Sequence, residues 1–286
     1  MTTLLGNIHA LGISDNLTLS GGCALNSAYN GQILDRLPYR ALYVPSAPGD
    51  DGNAVGAALL GWHRDHPTTP RPPRRQTPYL GTRLKSDAVE RLARDGGFAR
   101  VRQLRGALYD EAARMLADGR LLGWVQGRAE FGPRALGNRS ILGDPRSPGM
   151  KDLINSRVKF REGFRPFAPS ILHEHGPEWF EHYQESPYME RTLRWRAEVA
   201  DRVPAVVHAD RTGRLQSVTL EGNPEFHALI SAFYHLTGVP ILLNTSFNVM
   251  GKPIIHTVED AASVFVTSGL DGLVIGEYLF EKRGPV

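Results

Sequence analysis

The sequence lacks several features that would assign it to a common class. Its single cysteine, Cys23, excludes an internal disulfide and favours a reducing, cytoplasmic setting. No apolar run reaches the roughly 18–20 residues of a membrane helix, and the first residues have neither the basic region nor the cleavage site of a signal peptide. The phosphate-loop patterns GxxxxGK[ST] and GxGxxG and the hydrolase pattern G-x-S-x-G are missing. The ten histidines have no metal-ligand spacing.

What is present predicts an α/β protein in two units. Residues 1–66 alternate strands (17–22 and 41–46) with helices (24–37 and 48–66). Residues 67–78 contain five prolines in twelve positions, which is typical of a stiff linker and marks a domain boundary.

The longer block, residues 79–286, repeats the alternation. The pattern predicts helices over 106–118, 223–238 and 259–269, with Asn223 as the cap and Gly238 as the stop of the second, and strands over 121–126, 204–210, 240–246 and 272–276.

Positive charge is concentrated in residues 127–170. This stretch has nine lysines and arginines against four aspartates and glutamates, whereas the net charge of the whole chain is only +3. It is also rich in glycine and proline, as in GPRALG and FRPFAP. Arginines on a stiff backbone suit an anion that accepts two hydrogen bonds at once, such as phosphate or carboxylate, so the pattern favours an anion pocket over a nucleic-acid surface.

The candidate anion ligands are the basic residues Arg134, Arg139, Lys159, Arg161 and Arg165. Lys159 and Arg165 are six positions apart with a glycine between them, so the chain can curl both side chains around one oxyanion. The alternative is that these arginines are surface residues paired with the nearby acids Glu130, Asp144, Asp152 and Glu162.

Three weaker signals lie elsewhere. Ser246 and Asn248 follow a buried strand in NTSFN, where α/β sheets commonly place ligands, although a turn that caps its own backbone fits equally well. The glycine turns SGG (20–22) and GDDG (49–52) precede helices and could cradle a phosphate, with Asp50 and Asp51 near a cation or ribose. Arg214 alone is more typical of a surface residue.

The motifs GWVQGRAEFGPRALGNRSILGDPR, INSRVKFREGFRPFAPSIL and GVPILLNTSFNVMGKPII, with LSGGCALN and PGDDGNAVGAAL, resemble the carbamoyltransferase family typified by NodU and CmcH. The resemblance runs over nearly the full length. It implies that residues 79–286 form a YrdC-like domain, which condenses ATP with carbamoyl phosphate to give carbamoyl-adenylate and pyrophosphate. It also implies that residues 1–66 are the tail of an actin/Hsp70/sugar-kinase-like domain, which transfers the carbamoyl group to a substrate hydroxyl.

The resemblance also implies roles for individual residues. Lys159, Arg165 and Arg214 would act on carbamoyl phosphate and the nucleotide phosphates, while Arg134, Arg161, Ser246 and Asn248 would bind substrate. Gly21 and Gly22 would bind nucleotide, and Asp50 would be one ligand of an iron-type divalent metal. ATP with Mg²⁺ is the expected cofactor.

Family members have a long segment before the SGG motif, which supplies a phosphate loop and a histidine pair for the metal. Here Met1 stands about twenty residues before that motif. We therefore expect a complete metal site only with a separate N-terminal partner, and an O-carbamoyltransferase of secondary metabolism with a small hydroxyl-bearing acceptor. The alternatives are a non-catalytic remnant that binds nucleotide or a partner, and a nucleic-acid binder, for which few aromatic residues accompany the arginines.

Overall fold

The computed structural model describes residues 1–70, 77–163 and 165–282. Their buried apolar side chains form one large cluster between Ala88 and Phe280 and two small ones, the first between Leu5 and Val44 and the second made of Leu136, Ala168, Tyr188 and Met189. We call residues 1–66 the N-terminal region and residues 79–282 the sheet region. The proposed linker at 67–78 stays a prediction, since residues 71–76 lie outside the described ranges.

The N-terminal region has a small parallel sheet surrounded by helices. Asn26 caps one short helix by accepting a hydrogen bond from the backbone N–H of Tyr29 (3.1 Å). Its elements are α1 (Thr2–Ala10), β1 (Asn16–Thr18), a 3₁₀ turn (Gly22–Leu25), α2 (Ser27–Asn30), α3 (Ile33–Arg36), β2 (Ala41–Tyr43) and α4 (Gly52–Asp65).

One open mixed sheet organises the sheet region. Its strands are β3 (Ala99–Gln103), β4 (Leu122–Val125), β5 (Arg139–Gly143), β6 (Ala168–Leu172), β7 (Arg191–Arg194), β8 (Thr212–Val218), β9 (Ile241–Ser246), β10 (Gly272–Ile275) and β11 (Tyr278–Lys282). Among the described residues the strand order is β3-β11-β10-β4-β5-β9-β6-β8-β7. Only β4–β10 and β6–β8 pair in parallel. The predicted α/β class with an open mixed sheet is confirmed.

Every residue of β4, β5, β6 and β10 is buried, so both faces of this part of the sheet are covered. The predicted helices near 106–118, 223–238 and 259–269 are confirmed as α6, α10 and α11, and Asn223 caps α10 at the backbone N–H of Phe226 (3.0 Å). The helices are α5 (Ser86–Asp95), α6 (Leu108–Ala117), α7 (Met150–Ile154), α8 (Gly176–Trp179), α9 (Ala197–Ala200), α10 (Pro224–Thr237) and α11 (Val258–Thr267).

The single helix predicted over 24–37 is wrong, since the chain there breaks into a 3₁₀ turn and the short helices α2 and α3. A contact with the sheet region decides this. Asn30 is fully buried and donates hydrogen bonds to the carbonyls of Ala24 (2.8 Å) and Glu190 (2.9 Å). At Gly31 a Cβ atom would lie 2.1 Å from the carbonyl oxygen of Thr192. Tertiary packing therefore overrides the helical pattern.

The strand predicted over 204–210 is also wrong. Pro204–Val206 forms a 3₁₀ turn, and the strand β8 begins only at Thr212. Asp210 accepts hydrogen bonds from the backbone N–H (3.1 Å) and hydroxyl (2.6 Å) of Thr212, so a turn is favoured before the strand.

The two regions are joined by hydrogen bonds beyond those of Asn30. The Arg191 guanidinium donates to the carbonyl of Leu42 (2.5 Å), and the Thr192 hydroxyl donates to the hydroxyl oxygen of Ser27 (3.0 Å). Among the described residues, no helix has both the length and the apolar character needed to cross a membrane.

Candidate active site

Four basic side chains of the sheet region lie close enough to repel one another. They are Arg134, Lys159, Arg161 and Arg214, and we call them the cation cluster. Three come from separate segments: the loop before β5, the π-helical turn Asn155–Lys159, and β8. Within the described ranges none of the four forms a salt bridge with a carboxylate.

The electrostatics of the cluster show uncompensated positive charge. Burial, and then the charges of Arg134 and Arg161, lower the pKa of Arg214 to about 9. Burial also lowers the pKa of Arg134. The Arg214 Nε atom is buried and has no hydrogen-bond partner. A buried, unpartnered donor among like charges is costly unless an anion binds there.

Lys159 is held by the end of β9. Its Nζ donates to the carbonyl (2.5 Å) and hydroxyl (3.3 Å) oxygens of Ser246, and to the carbonyl (3.0 Å) and side-chain (2.7 Å) oxygens of Asn248. Burial and the neighbouring charge of Arg161 lower its pKa to about 7. The structure therefore brings Lys159, Ser246 and Asn248 together, and their roles in binding stay predictions.

The NTSFN segment forms hydrogen bonds within itself, as expected for a turn, and it also contacts Lys159. The Ser246 hydroxyl donates to the Asn248 side-chain oxygen (2.7 Å), and the Asn248 amide nitrogen donates to the carbonyl of Lys252 (2.6 Å). The motif is thus a self-bonded turn, and the Ser246 hydroxyl and the Asn248 side-chain oxygen, which bind each other, also accept from the ammonium of Lys159. Its function in substrate binding stays a prediction.

Arg161 and Arg165 differ in setting. Arg161 donates to the Asn155 side-chain oxygen (3.0 Å), and its guanidinium lies 4.8 Å from the centre of the Phe167 ring. Burial, and then the charge of Arg165, lower its pKa. Arg165 itself is 55% exposed and pairs with Glu162 at 3.3 Å. Arg165 therefore lies at the rim of the cluster, on a side chain free to turn towards a ligand.

Arg139 is not an anion ligand, which corrects the sequence-based expectation. Its side chain is fully buried. The guanidinium donates to four backbone carbonyls, those of Gln126 (2.6 Å), Asn138 (2.9 Å), Thr82 (3.1 Å) and Gly127 (3.3 Å). Arg139 holds these loops together with both terminal nitrogens, and only its buried Nε has no hydrogen-bond partner among the described residues.

The acids suggested as surface partners also have other roles. Asp144 pairs with Arg146 (2.6 Å), outside the cation cluster. Glu130 is 7% exposed and accepts backbone N–H groups instead of pairing at the surface. From the sequence, Glu130 is expected only as a surface partner of the arginines. Its bonds to the backbone have no sequence signal, because every residue except proline carries an N–H group.

A cleft with a volume of about 860 Å³ lies between the two regions, apart from the cation cluster. Both glycine turns line it, through Ser20 and Gly21 and through Gly49 and Asp50. The N–H of Gly21 donates to the carbonyl of Pro48 (2.6 Å) in this structure. Gly22 begins the 3₁₀ turn.

These residues do not fit a complete metal site by themselves. Asp50 is exposed, and the described residues contain no group of three histidine, cysteine, aspartate or glutamate side chains that could hold a metal ion. A single carboxylate supplies too few ligands.

Comparison with known families accounts for most of the chain. The model of the carbamoyltransferase C-terminus matches residues 113–282, and that of the carbamoyltransferase N-terminus matches residues 5–59. The chain belongs to the carbamoyltransferase family, which confirms the resemblance drawn from the motifs.

Similar relatives include nodulation proteins. Nodulation protein NolNO of Sinorhizobium fredii is 47% identical over 93% of this chain, and nodulation protein NolO of Bradyrhizobium diazoefficiens is 42% identical over 93%. The chain spans only 40% and 49% of their lengths. Full-length HypF in its phosphate- and nucleotide-bound form is a similar solved structure, with 17% identity, a TM-score of 0.42, and coverage of 58% of this chain and 20% of that one.

Proposed function

We propose that the sheet region forms carbamoyl-adenylate from ATP and carbamoyl phosphate, and that the protein is an O-carbamoyltransferase. The observation that carries the proposal is the cation cluster, whose four buried or half-buried side chains form no salt bridge with a carboxylate among the described residues. Membership of the carbamoyltransferase family supports the choice of a carbamoyl group. The acceptor would be a small molecule with a hydroxyl group, in secondary metabolism.

The chemistry suits a site made of cations. Water releases carbamate and inorganic phosphate from carbamoyl phosphate, the carbamate oxygen then attacks the α-phosphorus of ATP, and pyrophosphate leaves. Negative charge builds on phosphate oxygens throughout, and preorganised cations stabilise it without a protein nucleophile. Arg134, Arg161 and Arg214 would bind the phosphate oxygens, and Arg165 would turn in from the rim.

Lys159 is suited to a phosphate that becomes more negative. Its lowered pKa of about 7 means that the ammonium gains stability when an anion approaches. Ser246 and Asn248 fix its position through four oxygen contacts. Mg²⁺ would enter with the ATP phosphates.

Pyrophosphate release tests this proposal. The purified chain with ATP should release pyrophosphate only when carbamoyl phosphate is added. Binding of ATP without any release, with or without a partner protein, would contradict the proposal and favour the non-catalytic remnant. Tight RNA binding with a steep salt dependence would instead support a nucleic-acid function.

We also propose that the N-terminal region binds the remaining part of a carbamoyltransferase N-terminal domain, on the same chain or a separate one. The helix α4 has 14 residues and none is buried, and Leu60 and Trp62 are 64% and 46% exposed. An apolar helix face of this kind usually marks an interface. Co-purification with the N-terminal part of a NolNO-type relative should succeed, and Leu60→Gln should weaken it. No complex would overturn the partner proposal.

A further inference from the structure

The loop from Glu130 to Arg139, which we call the GPR loop, carries Arg134 and is closed by a single carboxylate. Oε1 of Glu130 accepts the backbone N–H groups of Leu136 (2.7 Å), Asn138 (2.9 Å) and Arg139 (3.2 Å). The side chain is 7% exposed, and its Oε2 atom is buried without a hydrogen-bond partner. Three charge-assisted hydrogen bonds on one oxygen tie the two ends of the loop together.

The backbone of the GPR loop cannot hold this shape through packing of side chains alone. Gly132 (φ +137°) and Gly137 (φ +100°) adopt conformations that other residues rarely reach. A Cβ atom would lie 2.3 Å from the Ser46 carbonyl oxygen at the first position and 2.3 Å from the Phe226 ring at the second. Because glycines leave the backbone free in the unfolded and loosened states, side-chain hydrogen bonds must restrict it. The Glu130 carboxylate binds three N–H groups of the loop, and Tyr79 and Gln216 both donate to the Leu136 carbonyl (2.9 Å each).

The base of the GPR loop is rigid. Arg139, whose charge is near Glu130, donates to four carbonyls, and the Asn138 side-chain oxygen accepts from the Asn223 amide at the start of α10 (2.9 Å). Arg134 lies between this base and the contact with Ser46. It forms no salt bridge among the described residues that would fix its guanidinium by itself. Its position beside Arg214 therefore depends on the backbone of the loop.

We infer that Glu130 is a positioning residue for the anion site: its carboxylate fixes the GPR loop so that the Arg134 guanidinium stays within the cation cluster. Glu130 itself does not touch the ligand. The inference rests on the proposed function in that the cluster is taken to bind phosphate groups. The inference gives an acidic residue a supporting role in a site whose proposed ligands are basic.

A double-mutant cycle with pyrophosphate as the probe tests the inference. Glu130→Gln keeps the shape of the side chain and removes its charge, so we expect about tenfold weaker binding of pyrophosphate by calorimetry. Arg134→Met should weaken binding by a similar factor. If Glu130 acts through Arg134, the double variant should bind no more than about twofold weaker than Arg134→Met alone.

The matched control is Asp144→Asn. Asp144 is a buried carboxylate that accepts the backbone N–H of Arg146 (2.8 Å), outside the GPR loop. The Asp144→Asn variant should have a lower melting temperature and an unchanged affinity for pyrophosphate. Should Glu130→Gln not fold, Glu130→Asp keeps the charge but shortens the reach to the three N–H groups, and it should show the same non-additivity.

Three results separate the possible failures. Additive losses in the double variant, or unchanged affinity in Glu130→Gln, would overturn the role of Glu130 alone. Pyrophosphate binding by the wild type without carbamoyl-phosphate-dependent turnover of ATP would overturn the proposed function alone. A wild-type protein that binds no pyrophosphate would overturn both.

Discussion

The N-terminal region and the sheet region bury their apolar side chains to very different extents. In the sheet region, four strands are buried along their whole length between helices. In the N-terminal region, the longest helix, α4, buries none of its residues. The two regions also differ in charge, since all four residues of the cation cluster lie in the sheet region. The comparison indicates that the sheet region has a complete core and holds the cation cluster, while the N-terminal region leaves its longest helix unburied.

The largest expected effect is that of Arg214→Met, which tests whether the reaction takes place in the sheet region. We expect pyrophosphate release to fall by about 10²–10³-fold, because a preorganised cation is lost. The free energy of unfolding should rise by about 1 kcal/mol, since an unpaired buried charge is removed. Activity assays and thermal unfolding measure the two effects.

The control for Arg214→Met is Arg146→Met. Arg146 pairs with the buried Asp144, so its removal should destabilise the fold by about 2–3 kcal/mol. If Arg214→Met destabilised the protein as much as the control and left activity intact, Arg214 would be a structural residue.

The attachment of the two regions is tested by Gly31→Ala. The new Cβ would meet the Thr192 carbonyl oxygen at 2.1 Å, so we expect a loss of about 2 kcal/mol and release of the N-terminal region. Amide hydrogen exchange should show lost protection before residue 66 and retained protection in the sheet. Gly56→Ala, where the added Cβ meets nothing within 4 Å, is the control. Equal protection in Gly31→Ala and wild type would contradict the contact.

The pH dependence of anion binding sharpens the charge comparison. Because the pKa of Lys159 in the folded protein is about 7, the ammonium loses its proton above that pH and must regain it on binding. Affinity for pyrophosphate should therefore fall by up to about tenfold per pH unit above pH 7. Lys159→Arg stays charged and should lack this part of the slope, and identical slopes would contradict the lowered pKa.

The same group sets a pH dependence of stability with a definite sign. The ordinary pKa of lysine is 10.5, so between about pH 7 and pH 10.5 the unfolded chain binds more protons at Lys159 than the folded one. The contribution of Lys159 to stability therefore rises with pH across this window, and below pH 7 its burial penalty is fully present.

The smallest expected effect is that of Leu60→Gln on the free energy of unfolding. Leu60 is 64% exposed, so the change should be less than about 0.5 kcal/mol. Leu42→Ala, at a side chain that is 6% exposed in the same region, should cost about 2–3 kcal/mol. Equal losses in chemical denaturation would show that α4 is packed, and would break the comparison between the two regions.

Local patterns predicted the elements that pack by their own periodicity. The helix α10, with Asn223 at one end and Gly238 at the other, begins and ends as expected. The helix predicted over 24–37 failed because the buried Asn30 and Gly31 contact a segment some 160 positions away, which no local pattern contains. The strand β8 was missed because its polar residues alternate with few apolar ones.

The site could be predicted in part for a similar reason. The clustering of basic residues and the family motifs found Arg134, Lys159 and Arg161, and the resemblance added Arg214. They could not distinguish the buried Arg139, which binds carbonyls, from an arginine that binds a ligand, because only the fold shows which acceptors surround it. They also took Glu130 for a surface partner, because the backbone donors it binds are not visible in the sequence.

Exchange of radiolabelled pyrophosphate into ATP by the purified chain tests most directly whether the cation cluster forms carbamoyl-adenylate. Exchange reports reversible formation of an adenylate, and the residues proposed for it all lie in the sheet region. We predict exchange that requires carbamoyl phosphate and is abolished by Arg214→Met. Exchange that occurs equally without carbamoyl phosphate, or that survives in Arg214→Met, would contradict the claim that the cation cluster forms carbamoyl-adenylate.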